Sequence, residues 1–91
     1  MKLKELEFKK TGDKWVSEPI QFWNSIAAVE YVLNSPGQVT IERCNRGRTF
    51  FPVLGFIAEG NSGAFNVTDG INGQFIRFIA TSEPVYLSVI V

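Results

Sequence analysis

The stretch from Gln38 to Ile57, QVTIERCNRGRTFFPVLGFI, constrains this chain more than any other. It reads as two strands joined by a tight basic turn at Asn45-Arg46-Gly47-Arg48. The first strand alternates, with Val39 and Ile41 on one face and Thr40 and Glu42 on the other. The second is apolar on both sides. Phe50, Leu54 and Phe56 share a face with Pro52, and Phe51, Val53 and Ile57 take the opposite one. A strand of that kind must be covered on both faces, by its own domain or by a neighbouring molecule.

The remainder of the chain supports an all-β reading. A length of 91 residues is that of one domain spanning 1–91, and a 45% apolar content with twelve aromatic residues is ample for one core. Eight glycines and four prolines punctuate the chain at short intervals, the composition of a β-sandwich or barrel. About eight strand candidates follow from alternation and turn signals. Residues 3–9 form the first, with Leu6 and Phe8 on one face. Thr11-Gly12-Asp13 then turns the chain into 14–22, where Val16, Ile20 and Phe22 face inward and Glu18 is an awkward neighbour. Pro19 cannot donate to a ladder, so this strand lies at an edge or breaks at a bulge.

Residues 25–34 admit two readings. Ser25 can cap a short helix carrying Ile26, Val29 and Leu33 on one stripe. A strand instead aligns Ala27, Val29, Tyr31 and Leu33, and is preferred because Ser35-Pro36-Gly37 follows at once as a turn into a 38–44 hairpin partner. After the central pair, Glu59 to Gly63 is a loop. Residues 64–68 put Phe65 and Val67 inward, and Asp69 to Gly73 loop again. Residues 74–81 align Ile76, Phe78 and Ala80. In the last segment, 85–91, Val85, Leu87, Val89 and Val91 alternate with Tyr86, Ser88 and Ile90. An open apolar edge invites aggregation, so this final strand is expected to be paired.

The chemical inventory points away from catalysis. The chain has no histidine, which removes the commonest general base and most zinc sites. Cys44 is the one cysteine, so no intrachain disulfide can form; it reads as an inert buried thiol. Asp69 and Asn72 in the DGING loop lack the acidic density of a calcium site, and the glycines match no phosphate-binding pattern. No cofactor or metal is expected. MKLKELEFKK has no hydrophobic run of the signal-peptide type, and VYLSVIV is too short to span a bilayer, so folding in a reducing cytoplasm away from membranes is expected.

Nine basic residues balance nine acidic ones, which argues against a general nucleic-acid binder. Two constellations still offer binding chemistry. Arg43, Arg46 and Arg48 next to Phe50 and Phe51 could grip a single nucleic-acid strand. The simpler reading is a solvated turn whose arginines pair with Glu42, Glu59 or a neighbouring subunit. Trp15, Trp23, Tyr31 and Tyr86 could stack on sugars, although core and interface packing use the same rings.

The whole-chain pattern resembles a known group. An F-K-K-T-G-D-K-W-V-S-E hairpin precedes the V-T-I-E-R and R-T-F-F-P-V-L pair, and Q-F-I-R-F-I-A-T-S-E-P-V-Y-L-S-V-I-V ends the chain. This resembles the small β-sandwich virion proteins of tailed bacteriophages that infect Bacteroides-type bacteria, including the crAss-like group. The pattern departs from theirs at residues 19–35. The resemblance implies an antiparallel immunoglobulin-like or jelly-roll sandwich of about seven to eight strands. It also implies a capsid auxiliary or decoration role on the virion, with major capsid protein, other virion proteins or head fibres as partners. It brings no catalytic residues. Within this reading, Arg46, Arg48, Phe51 and Pro52 are the expected protein-interface residues: arginine forks favour interfaces, and Pro52 argues that an apolar strand lies at an edge.

Overall fold

A computed structural model describes residues 3–22, 26–45, 49–53 and 55–90. The strands are β1 (Leu3–Glu5), β2 (Phe8–Thr11), β3 (Lys14–Ser17), β4 (Ile20–Gln21), β5 (Ala27–Leu33), β6 (Gln38–Cys44), β7 (Phe51–Pro52), β8 (Ala58–Glu59), β9 (Ser62–Val67), β10 (Phe75–Ala80) and β11 (Pro84–Ile90). They form two sheets. The first runs β1-β11-β5-β9, and the second runs β2-β3-β10-β6-β7, with β4 also on β10 and β8 also on β6. Every pairing is antiparallel.

The all-β sandwich expected from the sequence is what forms, and alternation explains its core. Ala27, Val29, Tyr31 and Leu33 are all buried on one face of β5, which settles residues 27–33 as strand rather than helix. Leu87 and Val89 join them from β11, and Val67 from β9. Facing this layer, the second sheet contributes Val39, Ile41, Ile76, Phe78 and Ala80. Phe22, Tyr31 and Phe78 are the largest fully buried side chains. Truncating such an aromatic to alanine costs about 3–5 kcal/mol.

Several expectations change. Residues 3–9 are not one strand. The chain leaves the first sheet after Glu5 and joins the second at Phe8, with Leu6 buried between and its N–H donating to the Leu87 carbonyl at 2.9 Å. The hairpin after it does form: Gly12 and Asp13 are its two-residue loop, and Gly12 supplies φ +66° at the first position, the pattern of a type II′ turn. The returning strand breaks at Glu18-Pro19, as proline demanded. The break reverses the faces, so Ser17 is buried and Trp15 packs on the core, while Val16, expected inward, is only half-buried.

The Ser35-Pro36-Gly37 turn does not close a hairpin either. It carries the chain from β5 in one sheet to β6 in the other. Gly37 fits there because a side chain would collide with Ser82 Oγ at 2.5 Å. The second half of the central pair is the largest difference. Among the described residues of that half, β7 and β8 alone pair with β6, at Glu42↔Pro52 and Arg43↔Phe51 and again at Gln38↔Glu59 and Val39↔Ala58. Because the strand is interrupted, its apolar residues do not line two faces. Val53 and Phe56 pack on the core, whereas Phe51 and Ile57 are exposed. Val85 is likewise exposed rather than inward, because the β11–β5 register shifts between Pro84 and Tyr86. The final strand is paired on both sides.

Candidate interaction surface

Among the described residues the second sheet ends at β7, which carries Phe51 and Pro52. Phe51 is 63% exposed, a large apolar side chain outside the core. The residue before it is held differently. Phe50 is half-buried beneath the Arg77 guanidinium, 4.2 Å from the ring centroid. Arg77 in turn donates from Nε to Glu42 Oε1 at 2.7 Å. The register puts this cross-strand pair on the sheet face of Pro52, whereas Phe51 lies opposite Arg43 and shares the other face with it. Arg46 and Arg48 lie outside the described residues.

Arg43 takes a partner the sequence did not suggest. Its Nη2 reaches both carboxylate oxygens of Asp69 at 3.1 Å, not Glu42 or Glu59. Glu42 is already engaged by Arg77, and Glu59 accepts from Gln38 Nε2 at 3.2 Å. Arg43 and Arg77 are therefore both neutralised locally, leaving neither as an unpaired phosphate grip. Asp69, the best calcium-ligand candidate of the DGING loop, is committed to the same ion pair. Among the described residues no group of three or more His, Cys, Asp or Glu side chains could hold a metal. Cys44 is buried at the end of β6.

The aromatic set is dispersed. Tyr31 is 1% exposed in the core, and Trp23 lies outside the described residues. Trp15 and Tyr86 do meet, lining a cleft of about 210 Å³ with Leu6, Phe8, Glu5 and Glu83. The sequence pattern hid this cleft because it arises where β1 and β2 part company, a break that no turn residue announces. The Tyr86 hydroxyl is occupied, donating to Glu30 Oε2, and this bond together with the negative charges of Glu30 and Glu5 raises the phenol's pKa above the ordinary tyrosine value. Ligand sites for small molecules usually span about 300–1,000 Å³. The cleft is smaller than that and does not form an open aromatic platform for a sugar.

Glu18, the awkward neighbour in the strand expected over 14–22, also has a definite place. Its carboxylate accepts the Glu7 N–H at 2.8 Å and faces Lys4 Nζ at 3.1 Å. The backbone hydrogen bond first, and the lysine second, hold its pKa below the usual glutamate range. The group ties β1 to the β3–β4 break across the two sheets.

The chain matches no family model, no curated protein and no solved structure.

Proposed function

We propose that this chain is a non-enzymatic structural module that docks on other protein copies through the Phe51 end of β7. The setting implied by its sequence resemblance is the bacteriophage virion. There it would act as a capsid auxiliary or decoration protein binding major capsid protein or other virion proteins. The observation that carries the docking reading is Phe51 itself: a phenylalanine 63% exposed on an edge strand, beside a proline. Burying one such side chain contributes roughly 1.5–3 kcal/mol. That is modest for a single contact and sufficient when many copies bind a repeating lattice. Pro52 cannot donate to an added strand, so the contact works through side chains rather than through sheet extension.

The other readings fare less well. Of the three arginines in the single-strand nucleic-acid reading, Arg43 is ion-paired with Asp69 and Arg46 and Arg48 lie outside the described residues; the balance of nine basic against nine acidic residues is what speaks against it. A sugar platform needs exposed rings, and Tyr31 is in the core. The test is Phe51→Glu. The variant should keep the wild-type circular dichroism spectrum and melting temperature yet fail to co-purify with the assembly that retains the wild type. Unfolding of the isolated variant, or its normal incorporation, contradicts the proposal.

A further inference from the structure

The four sheet edges are not equally defended against strand addition. β1 carries Lys4 and Glu5, and β2 carries Lys9 and Lys10. β7 and β8 are two residues each, and β7 contains Pro52. These are the usual means by which natural sheets blunt an edge. β9, the far edge of the first sheet, has none of them. It is six residues long, SGAFNV, without a charge or a proline.

The ladder shows which backbone groups that edge presents. The Leu33 N–H donates to the Asn61 carbonyl at 2.6 Å, one step beyond the Val32↔Ser62 pair. Hydrogen-bonded and non-bonded pairs alternate in an antiparallel ladder. Gly63, Phe65 and Val67 therefore turn their peptide groups toward β5, and Ser62, Ala64 and Asn66 turn theirs outward. All three of these outward residues are exposed.

We infer that β9 is a self-pairing edge, and that two copies of this chain join antiparallel about a two-fold axis at Ala64 into one continuous eight-stranded sheet. In that register Ser62 stands opposite Asn66 of the second copy and Ala64 opposite its own equivalent. Each of the three bonded pairs exchanges two hydrogen bonds, which uses every outward donor and acceptor of these residues. The second copy is the occupant that the charge pattern favours. Self-pairing brings each residue near its own kind, which penalises β1 and β2 with their lysines and costs an uncharged strand nothing. The nearest acidic residue on the same outer face is Glu30, opposite Ala64 on β5. Three strand spacings would separate it from its equivalent, about 14 Å, beyond the roughly 8 Å screening length of physiological salt. Phe56 lies tilted against Phe65, ring centroids 4.9 Å apart, beneath this edge.

The experiment is sedimentation velocity across a concentration series on purified full-length chain, with folding of each variant checked by circular dichroism. The wild type should show a reversible monomer–dimer equilibrium, and Ala64→Lys should weaken it at least tenfold by opposing two lysines on the axis. Register is tested by a paired exchange. Ser62→Lys with Asn66→Lys should abolish the dimer, whereas Ser62→Glu with Asn66→Lys should retain it, since residue 62 then meets an opposite charge at 66. Phe51→Glu should leave the dimer intact, which separates this contact from the proposed docking site. A wild type that stays monomeric at millimolar concentration overturns the inference, as does a dimer indifferent to Ala64→Lys. So does a monomer whose β9 edge instead captures an unrelated extended peptide.

Discussion

Replacing Ser17 by alanine removes one oxygen atom from the interior, yet the consequence should be large. β10 pairs with β3 at Ile79 and Ala80 and with β4 at Phe75 and Ile76, and the ladder on that side is interrupted between them by the Glu18-Pro19 break. The Phe78 N–H falls in this gap. Ser17 Oγ fills it, accepting from Phe78 N at 2.8 Å and donating to the Glu18 carbonyl at 2.9 Å. Ser17 is 4% exposed, so alanine leaves a buried N–H without a partner. An unsatisfied buried donor costs about 1–3 kcal/mol, far more than the trivial change in apolar contact. For a domain of this size each kcal/mol lowers the melting temperature by roughly 4–8 °C. Urea denaturation followed by circular dichroism measures the loss, and amide exchange at Phe78 locates it. A variant within about 0.5 kcal/mol of wild type, the ordinary range for a neutral substitution, would refute the view that this hydroxyl completes the sheet.

Three further outcomes are expected. Gly70→Ala should destabilise the fold by about 1–3 kcal/mol, because a Cβ there would lie 2.7 Å from the buried Phe22 ring; thermal melts of the variant check this. The carboxylate of Glu18 is held below its usual pKa, so its stabilisation is present above the ordinary glutamate range and disappears as pH falls through the lowered value. The difference in urea midpoint between wild type and Glu18→Gln should therefore shrink on acidification. Tyr86 shows the opposite sense: its raised pKa means that the Glu30 hydrogen bond contributes below the ordinary tyrosine pKa and is lost as pH rises through the folded value. NMR titration of the Tyr86 ring should show a lower pKa in Glu30→Gln.

What could be read from the sequence was whatever depended on local alternation. Ile76, Phe78 and Ala80 lie inward because a strand of period two puts them there, and the same rule placed Ala27 through Leu33. The sites where the chain changes sheet were not legible. Leu6-Glu7 and Ser35-Pro36-Gly37 both transfer the chain between layers, and nothing local distinguishes such a corner from a straight strand or a hairpin turn. The face reversal at β3 has the same origin: Pro19 announced a break, but the direction of the break was set by Ser17 satisfying Phe78 across sixty-one positions of sequence. Of the expected interface residues, Phe51 and Pro52 do lie exposed at an edge, which their residue types suggested. The unbroken two-faced strand used to argue for a covering partner does not exist, since Val53 and Phe56 turn into the core. The Arg43–Asp69 pair spans a loop that no periodicity predicts.

The most direct test of the docking claim places a photo-cross-linking analogue, p-benzoylphenylalanine, at position 51 in the cell that makes the protein. Irradiation followed by mass spectrometry should yield one dominant adduct, to a structural protein present in many copies, and the same analogue in place of Trp15 should not yield it. If position 51 gives no adduct above that at Trp15, the exposed end of β7 faces solvent and the claim is wrong.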